Sequence, residues 1–92
     1  MANFVTKKDG TKVPFDSEKM KASITAAALD AGLSEEEAAN ITQEVFNLVS
    51  VSLESQEEVA TSEIKEKILS ELDVSSPSTA GAWRKYEESK GQ

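Results

Sequence analysis

"VTKKDGTKVPFDSEKM", residues 5–20, is the stretch on which the fold turns. Asp9-Gly10 between two short apolar-polar runs is a hairpin signal, because the favoured tight turns need residues that tolerate positive φ. A two-residue loop pairs Lys8 with Thr11, Thr6 with Val13 and Phe4 with Phe15, and puts Phe4, Thr6, Val13 and Phe15 on one face. A three-residue loop with Gly10 in a bulge shifts that pairing by one, so the dipeptide alone leaves the register open. Pro14 lacks a backbone donor and suits an edge strand. The second strand then runs into "FDSEKM", where Asp16 or Ser17 can cap a helix.

From there the apolar periodicity predicts helices. Met20, Ile24, Ala27, Ala28 and Ala31 lie on one helical face, with Gly32 as the stop. "LSEEEAA" opens a second helix, with Ser34 and Glu37 spaced as a capping box and a stripe of Ala38, Ile41, Val45, Leu48 and Val49. "ESQEE" reads as a polar connection. "VATSEI" opens a third helix with Thr61 or Ser62 as its cap and Ile64, Ile68, Leu69 and Leu72 buried. "DVSSPS" breaks it, and Pro77 suits the first turn of a fourth, in which Ala80, Trp83 and Tyr86 repeat. The expectation is an α+β, mostly α domain spanning residues 1–92: an N-terminal β-hairpin over residues 3–15 capping a four-helix bundle. Its helices are placed at about residues 17–31, 35–52, 62–72 and 77–89. None is long enough to be stable alone in water, so they must pack on one another.

Charge is unevenly placed. Residues 1–21 carry five lysines against three acids, a net +2, while the other 71 residues carry five basic and fourteen acidic groups, a net −9. An acidic body argues against direct nucleic-acid binding, which needs Lys and Arg along many phosphates. The chain has neither cysteine nor histidine. Disulfides, thiolate metal sites and the commonest general base are therefore excluded. With no nucleophile–base arrangement and no glycine fingerprint for a phosphate loop, an enzyme is not expected. No apolar run approaches a membrane span and the start lacks a signal-peptide core, so the default is a soluble cytoplasmic protein.

Two local features admit two readings each. Lysines on a hairpin can simply protect a sheet edge. They can also face an anion, because the second strand delivers the chain to a helix N-terminus, with Lys19 on its first turn and Lys7 and Lys8 on the preceding strand. In "TSEIKEK", Thr61 and Lys65 read either as a cap and an exposed charge or as partners in such a site.

The order of these motifs resembles the ATP-cone domain. "VTKKDGTKVPFDSEKM" is similar to its opening, "TSEIKEKIL" to its later helix and "AGAWRKY" to its closing pattern, a resemblance covering roughly residues 3–90. It implies a hairpin cap over a four-helix bundle with the nucleotide between them. It also implies a regulatory role, as in ribonucleotide reductase large subunits, where ATP and dATP set overall activity, and in the zinc-ribbon repressor of their genes. By that resemblance Val5, Lys7 and Lys8 meet base and phosphates, Asp16 contacts the base, and Lys19 lies near the phosphates. Thr61 and Lys65 sit on the far side, and Lys90 is a weaker match near the end. The implied ligand is ATP or dATP, with or without Mg, and no redox cofactor.

The departures from the pattern are specific. Lys8 replaces the commoner arginine and gives up bidentate geometry. Lys65 stands where some members carry histidine, and Val13 where some carry a nucleotide-contacting acid. Catalytic barrel and zinc ribbon are both absent from the sequence, so the chain reads as a free-standing cone or as a fragment of a longer protein. The expected partners are a nucleotide together with a second copy, a ribonucleotide reductase or a regulator protein. The alternative is a degenerate cone that serves as a nucleotide-independent interaction module.

Overall fold

The computed structural model describes residues 3–7 and 9–90, and of Lys90 the backbone only. Strands β1 (Phe4–Thr6) and β2 (Lys12–Pro14) form an antiparallel pair. Gly10 adopts φ +89°, the left-handed region that a side chain disfavours, and closes a three-residue loop. The Lys7 N–H donates to the Thr11 carbonyl at 2.8 Å and the Gly10 N–H to the Lys7 carbonyl at 2.9 Å. Asp9 Oδ1 accepts from the Thr11 N–H at 2.9 Å and fixes the turn from the other side.

The loop length sets the register. Val5 lies opposite Val13, Phe4 opposite Pro14 and Thr6 opposite Lys12. This is the bulged alternative, and it corrects the pairing of Thr6 with Val13 and of Phe4 with Phe15. A one-residue slip turns each side chain of a strand to the other face. Val5 and Val13 therefore share one face, while Phe4, Thr6 and Lys12 share the other.

A third strand corrects the simple hairpin. Glu58–Ala60 forms β3, paired in parallel with β1, so that the sheet order is β2-β1-β3. Asn3 and Phe4 N–H groups both donate to the Glu57 carbonyl, at 2.8 and 3.1 Å. Val59 is buried, and with Val5 and Phe15 it joins the sheet's inner side to the hydrophobic core.

The helices are α1 (Ser17–Asp30), α2 (Glu35–Ser52), α3 (Thr61–Ser75) and α4 (Pro77–Lys90). Asp16 caps α1, accepting from the Lys19 N–H at 3.1 Å. Its exit is a Schellman turn: Leu33 N–H donates to Ala28 and Gly32 N–H to Leu29, with Gly32 at φ +97°. Ser34 and Glu37 make the reciprocal capping box of α2.

Helix α3 follows β3 without a loop, and Ala60 occupies its cap position with no side-chain bond. The expected cap at Thr61 or Ser62 is thus corrected: Thr61 is already helical. The helix also passes residue 72, continuing to Ser75. It stops where Pro77 disfavours a helical conformation for Ser76, which lies at φ −158° and ψ 85°. The Ser76 and Thr79 hydroxyls, 2.7 Å apart and buried, satisfy each other at the entry to α4.

The helices form a ring in which α1 and α3 each pack against both α2 and α4. Met20, Ile24 and Ala27 of α1, Val45 and Val49 of α2, Ile64, Ile68 and Leu72 of α3, and Ala80 and Trp83 of α4 fill its centre. Two expected core positions are exposed, Leu48 at 46% and Tyr86 at 50%, while Ala31, Ile41 and Leu69 are half-buried. Thr42 takes the inward position on α2 instead. Its hydroxyl is kept satisfied by Thr25 Oγ1, 2.7 Å away.

Candidate functional site

Sheet topology decides where the candidate residues lie. Thr6 sits opposite both Lys12 and Ala60, and Phe4 opposite both Pro14 and Glu58. The antiparallel β2 therefore enters α1 at the Phe4 end, while the parallel β3 enters α3 at the Thr6 end. The hairpin turn with Lys7 belongs to the Thr6 end too. Lys7 and the α1 N-terminus thus belong to opposite ends of the sheet. At roughly 3.3 Å per residue, the two ends of β1 are about 7 Å apart.

At the Thr6 end, the Thr61 hydroxyl donates to the Thr6 carbonyl at 3.2 Å and ties α3 to β1. Lys65 lies one turn further along α3, on the same side as Thr61. Its ammonium is held by Glu87 of α4 at 2.6 Å. Lys7 is exposed. Among the described residues it has no carboxylate within ion-pair distance. Asp9, two residues on in the turn, is held below its ordinary pKa chiefly by its hydrogen bonds to Thr11, with a smaller contribution from the Lys7 charge. Lys8 lies outside the described residues.

At the Phe4 end, Asp16 spends Oδ1 on the Lys19 N–H. The Lys19 side chain is exposed, again without a described ion pair. Val5 lies between the two ends, partly buried and directed at the core. The side chain of Lys90 is not among the described ones.

The remaining hairpin charge is structural. Lys12 Nζ meets Glu58 Oε1 at 3.0 Å and lies 5.5 Å from the centre of the Phe4 ring. Thr6 Oγ1 donates to the other Glu58 oxygen at 2.5 Å. One carboxylate from β3 thereby joins all three strands on the outer face. The Thr6 hydrogen bond first, and then Lys12, hold the Glu58 pKa below its ordinary value. Lys21 is likewise engaged, 4.4 Å from the Phe46 ring centre and 3.9 Å from Glu18. The edge-protection reading fits Lys12, on edge strand β2, and leaves Lys7 and Lys19 without an ion pair among the described residues.

Sequence reasoning missed Glu58 and Glu87. Both lie in acidic runs whose members look alike until the tertiary pairing is known. Two open grooves flank the bundle. One of about 390 Å3 runs between α2 and α3, past Leu48, Glu63 and Glu66, and one of about 590 Å3 between α1 and α4, past Gly81, Lys85 and Tyr86. Neither is lined by a residue of the candidate set.

Compared with known families, the chain matches the family model described as ATP cone domain over residues 3–90. No curated protein matches it.

Proposed function

Because the chain belongs to the ATP-cone family, we propose that it binds ATP or dATP between its sheet and its helix bundle and that occupancy controls its association with a partner. An ATP cone is a nucleotide-binding regulatory domain. The observation that carries the reading for this chain is that Lys7 and Lys19, at the two ends of one small sheet, make no ion pair among the described residues. Such a separation suits an extended anion that touches both ends. Asp16 would contact the base, Lys7, Lys8 and Lys19 would serve the phosphates, and Val5 would lie under the ligand. Thr61, Lys65 and Lys90 would close the far side, where the Lys65 ammonium too would meet a phosphate.

Lysines act here as point charges, and the α1 N-terminus adds its own positive partial charge. Among the described residues no group of three carboxylates could hold a metal ion. Magnesium, where bound, would arrive with the phosphates, keeping several of its waters. Of the described helices, none is long and apolar enough to cross a membrane. The proposed setting is the cytoplasm, with action in trans on ribonucleotide reductase or on its expression.

A ligand shifts association only by binding the two association states with different affinity. Sedimentation of the protein with and without ATP, dATP and GTP tests the reading. An adenine-nucleotide-dependent change in mass, lost in Lys7→Ala with Lys19→Ala, supports it. A mass unchanged by millimolar nucleotide counts against it.

A second reading has its own observation. Lys65 already has Glu87, and the Thr61 hydroxyl already has the Thr6 carbonyl. A cone with those two groups committed internally could serve as a nucleotide-independent interaction module. Retention of a ribonucleotide reductase by the immobilised protein, equal with and without ATP, would favour it.

A further inference from the structure

The Lys65–Glu87 pair differs from the other ion pairs in the described structure. It is the shortest of them, at 2.6 Å, and its carboxylate side chain is the least exposed, 23% against 40–86% for the rest. It also joins two helices. Lys65 stands one turn from Thr61 on α3, and Glu87 stands one turn beyond the buried Trp83 on α4. A second link, Arg84 to Asp73 at 2.9 Å, ties the same antiparallel helices nearer the other end of α3.

We propose that Glu87 is an internal competitor for the ligand: its carboxylate holds the Lys65 ammonium in the place a nucleotide phosphate would take. This rests on the nucleotide reading above and adds a regulatory element to it. One ammonium cannot keep a 2.6 Å contact with Glu87 and also turn its full charge on a phosphate without bringing two anions together. Phosphate binding therefore draws Lys65 off Glu87, or meets Glu87's repulsion. Either way Glu87 lowers affinity. In the first case the α3–α4 tie at residue 87 opens while Arg84–Asp73 stays closed, so that occupancy is passed to the C-terminal turn of α4. Ligand chemistry follows from the contact: an anion able to outcompete a carboxylate for a lysine, such as a polyphosphate.

The test is an ATP titration of the full chain, followed by calorimetry and by the fluorescence of Trp83, the sole tryptophan. Glu87→Gln is compared with Glu66→Gln, which removes the same charge from an exposed site beside Lys65. Glu87→Gln should tighten ATP binding about two- to fivefold, the range expected for a half-exposed ion pair. Glu66→Gln should give clearly less, and Glu87→Gln should give no gain in a Lys65→Gln background. The ligand-induced change in Trp83 emission should shrink in Glu87→Gln, because the tie is already open. Equal gains from Glu87→Gln and Glu66→Gln, or a gain that survives Lys65→Gln, would overturn the inference while leaving nucleotide binding intact. Absence of ATP binding in wild type and in every variant would overturn the nucleotide reading, and the inference with it.

Discussion

The hydroxyl of Thr61 donates to the carbonyl of Thr6 across 3.2 Å and 55 residues of sequence. It joins the first turn of α3 to the central strand, and with it two of the segments that resemble an ATP cone. Replacing Thr61 by Val keeps the shape and β-branching but leaves a partly buried carbonyl with one partner fewer. We expect a loss of about 0.5–1.5 kcal/mol. For a domain of this size that corresponds to a drop in melting temperature of roughly 3–10 °C. Thr61→Ser should recover most of it. A Thr61→Val protein as stable as wild type would remove the tie from the account.

The register rests on Gly10. At φ +89° an alanine is strained, although a Cβ there would point into open space. The expected cost of Gly10→Ala is therefore conformational, about 1 kcal/mol. It should appear as weaker hydrogen-exchange protection of the Lys7 and Gly10 amides, both of which donate in the loop. Unchanged protection would argue for a loop of different geometry.

Glu58 gives the sheet a pH dependence of defined sign. Hydrogen bonding by Thr6 and pairing with Lys12 lower its folded-state pKa below the ordinary 4.5. A group with a depressed folded pKa contributes stability above its unfolded pKa and loses it as pH falls through the folded value. Wild type should thus exceed Glu58→Gln in stability by a constant margin above pH 4.5, and the margin should close below it. Asp9 and Glu37 shift in the same direction and remain in both proteins, so that their contribution cancels in the comparison. A margin that widened on acidification would contradict the assignment.

Leu72 is fully buried in the ring of helices, whereas Val74, two residues on, is 84% exposed. Leu72→Ala should cost about 2–5 kcal/mol through lost burial and the cavity left behind. Val74→Ala should stay within about 0.5 kcal/mol. A small domain has only about 5–15 kcal/mol in hand, so urea titration should find the first variant close to unfolding at 37 °C. Equal midpoints for the two would place the core elsewhere.

The helices were legible because their signals are local. Asp16, the Ser34–Glu37 box, Gly32 and Pro77 mark ends within a few residues, and the 3.6-residue period marks the buried face. What escaped was set by distant chain segments. β3 contains one buried residue, Val59, next to an acidic run, and it is a strand because β1 lies beside it. Hairpin register needed the loop length, which Asp-Gly alone leaves open. Thr42 turns inward although polar, its hydroxyl satisfied by Thr25, and Leu48 falls off the buried stripe of Ala38, Thr42, Val45 and Val49. At the site, residue types and their order were visible, but the ends of the sheet to which they belong were not. That depends on β3 running parallel to β1 while β2 runs antiparallel. The engagement of Lys12 by Glu58 and of Lys65 by Glu87 likewise became visible only in three dimensions.

The most direct test of the central claim is a titration of the isotope-labelled protein with ATP and dATP, followed through backbone amide NMR shifts. Binding across the sheet should give saturable shifts at both of its ends, at Lys7 and Thr61 on one side and Asp16 and Lys19 on the other, with Lys65 moving in step. Shifts confined to one end, or to the α2–α3 and α1–α4 grooves, or no shifts at millimolar nucleotide, would contradict it.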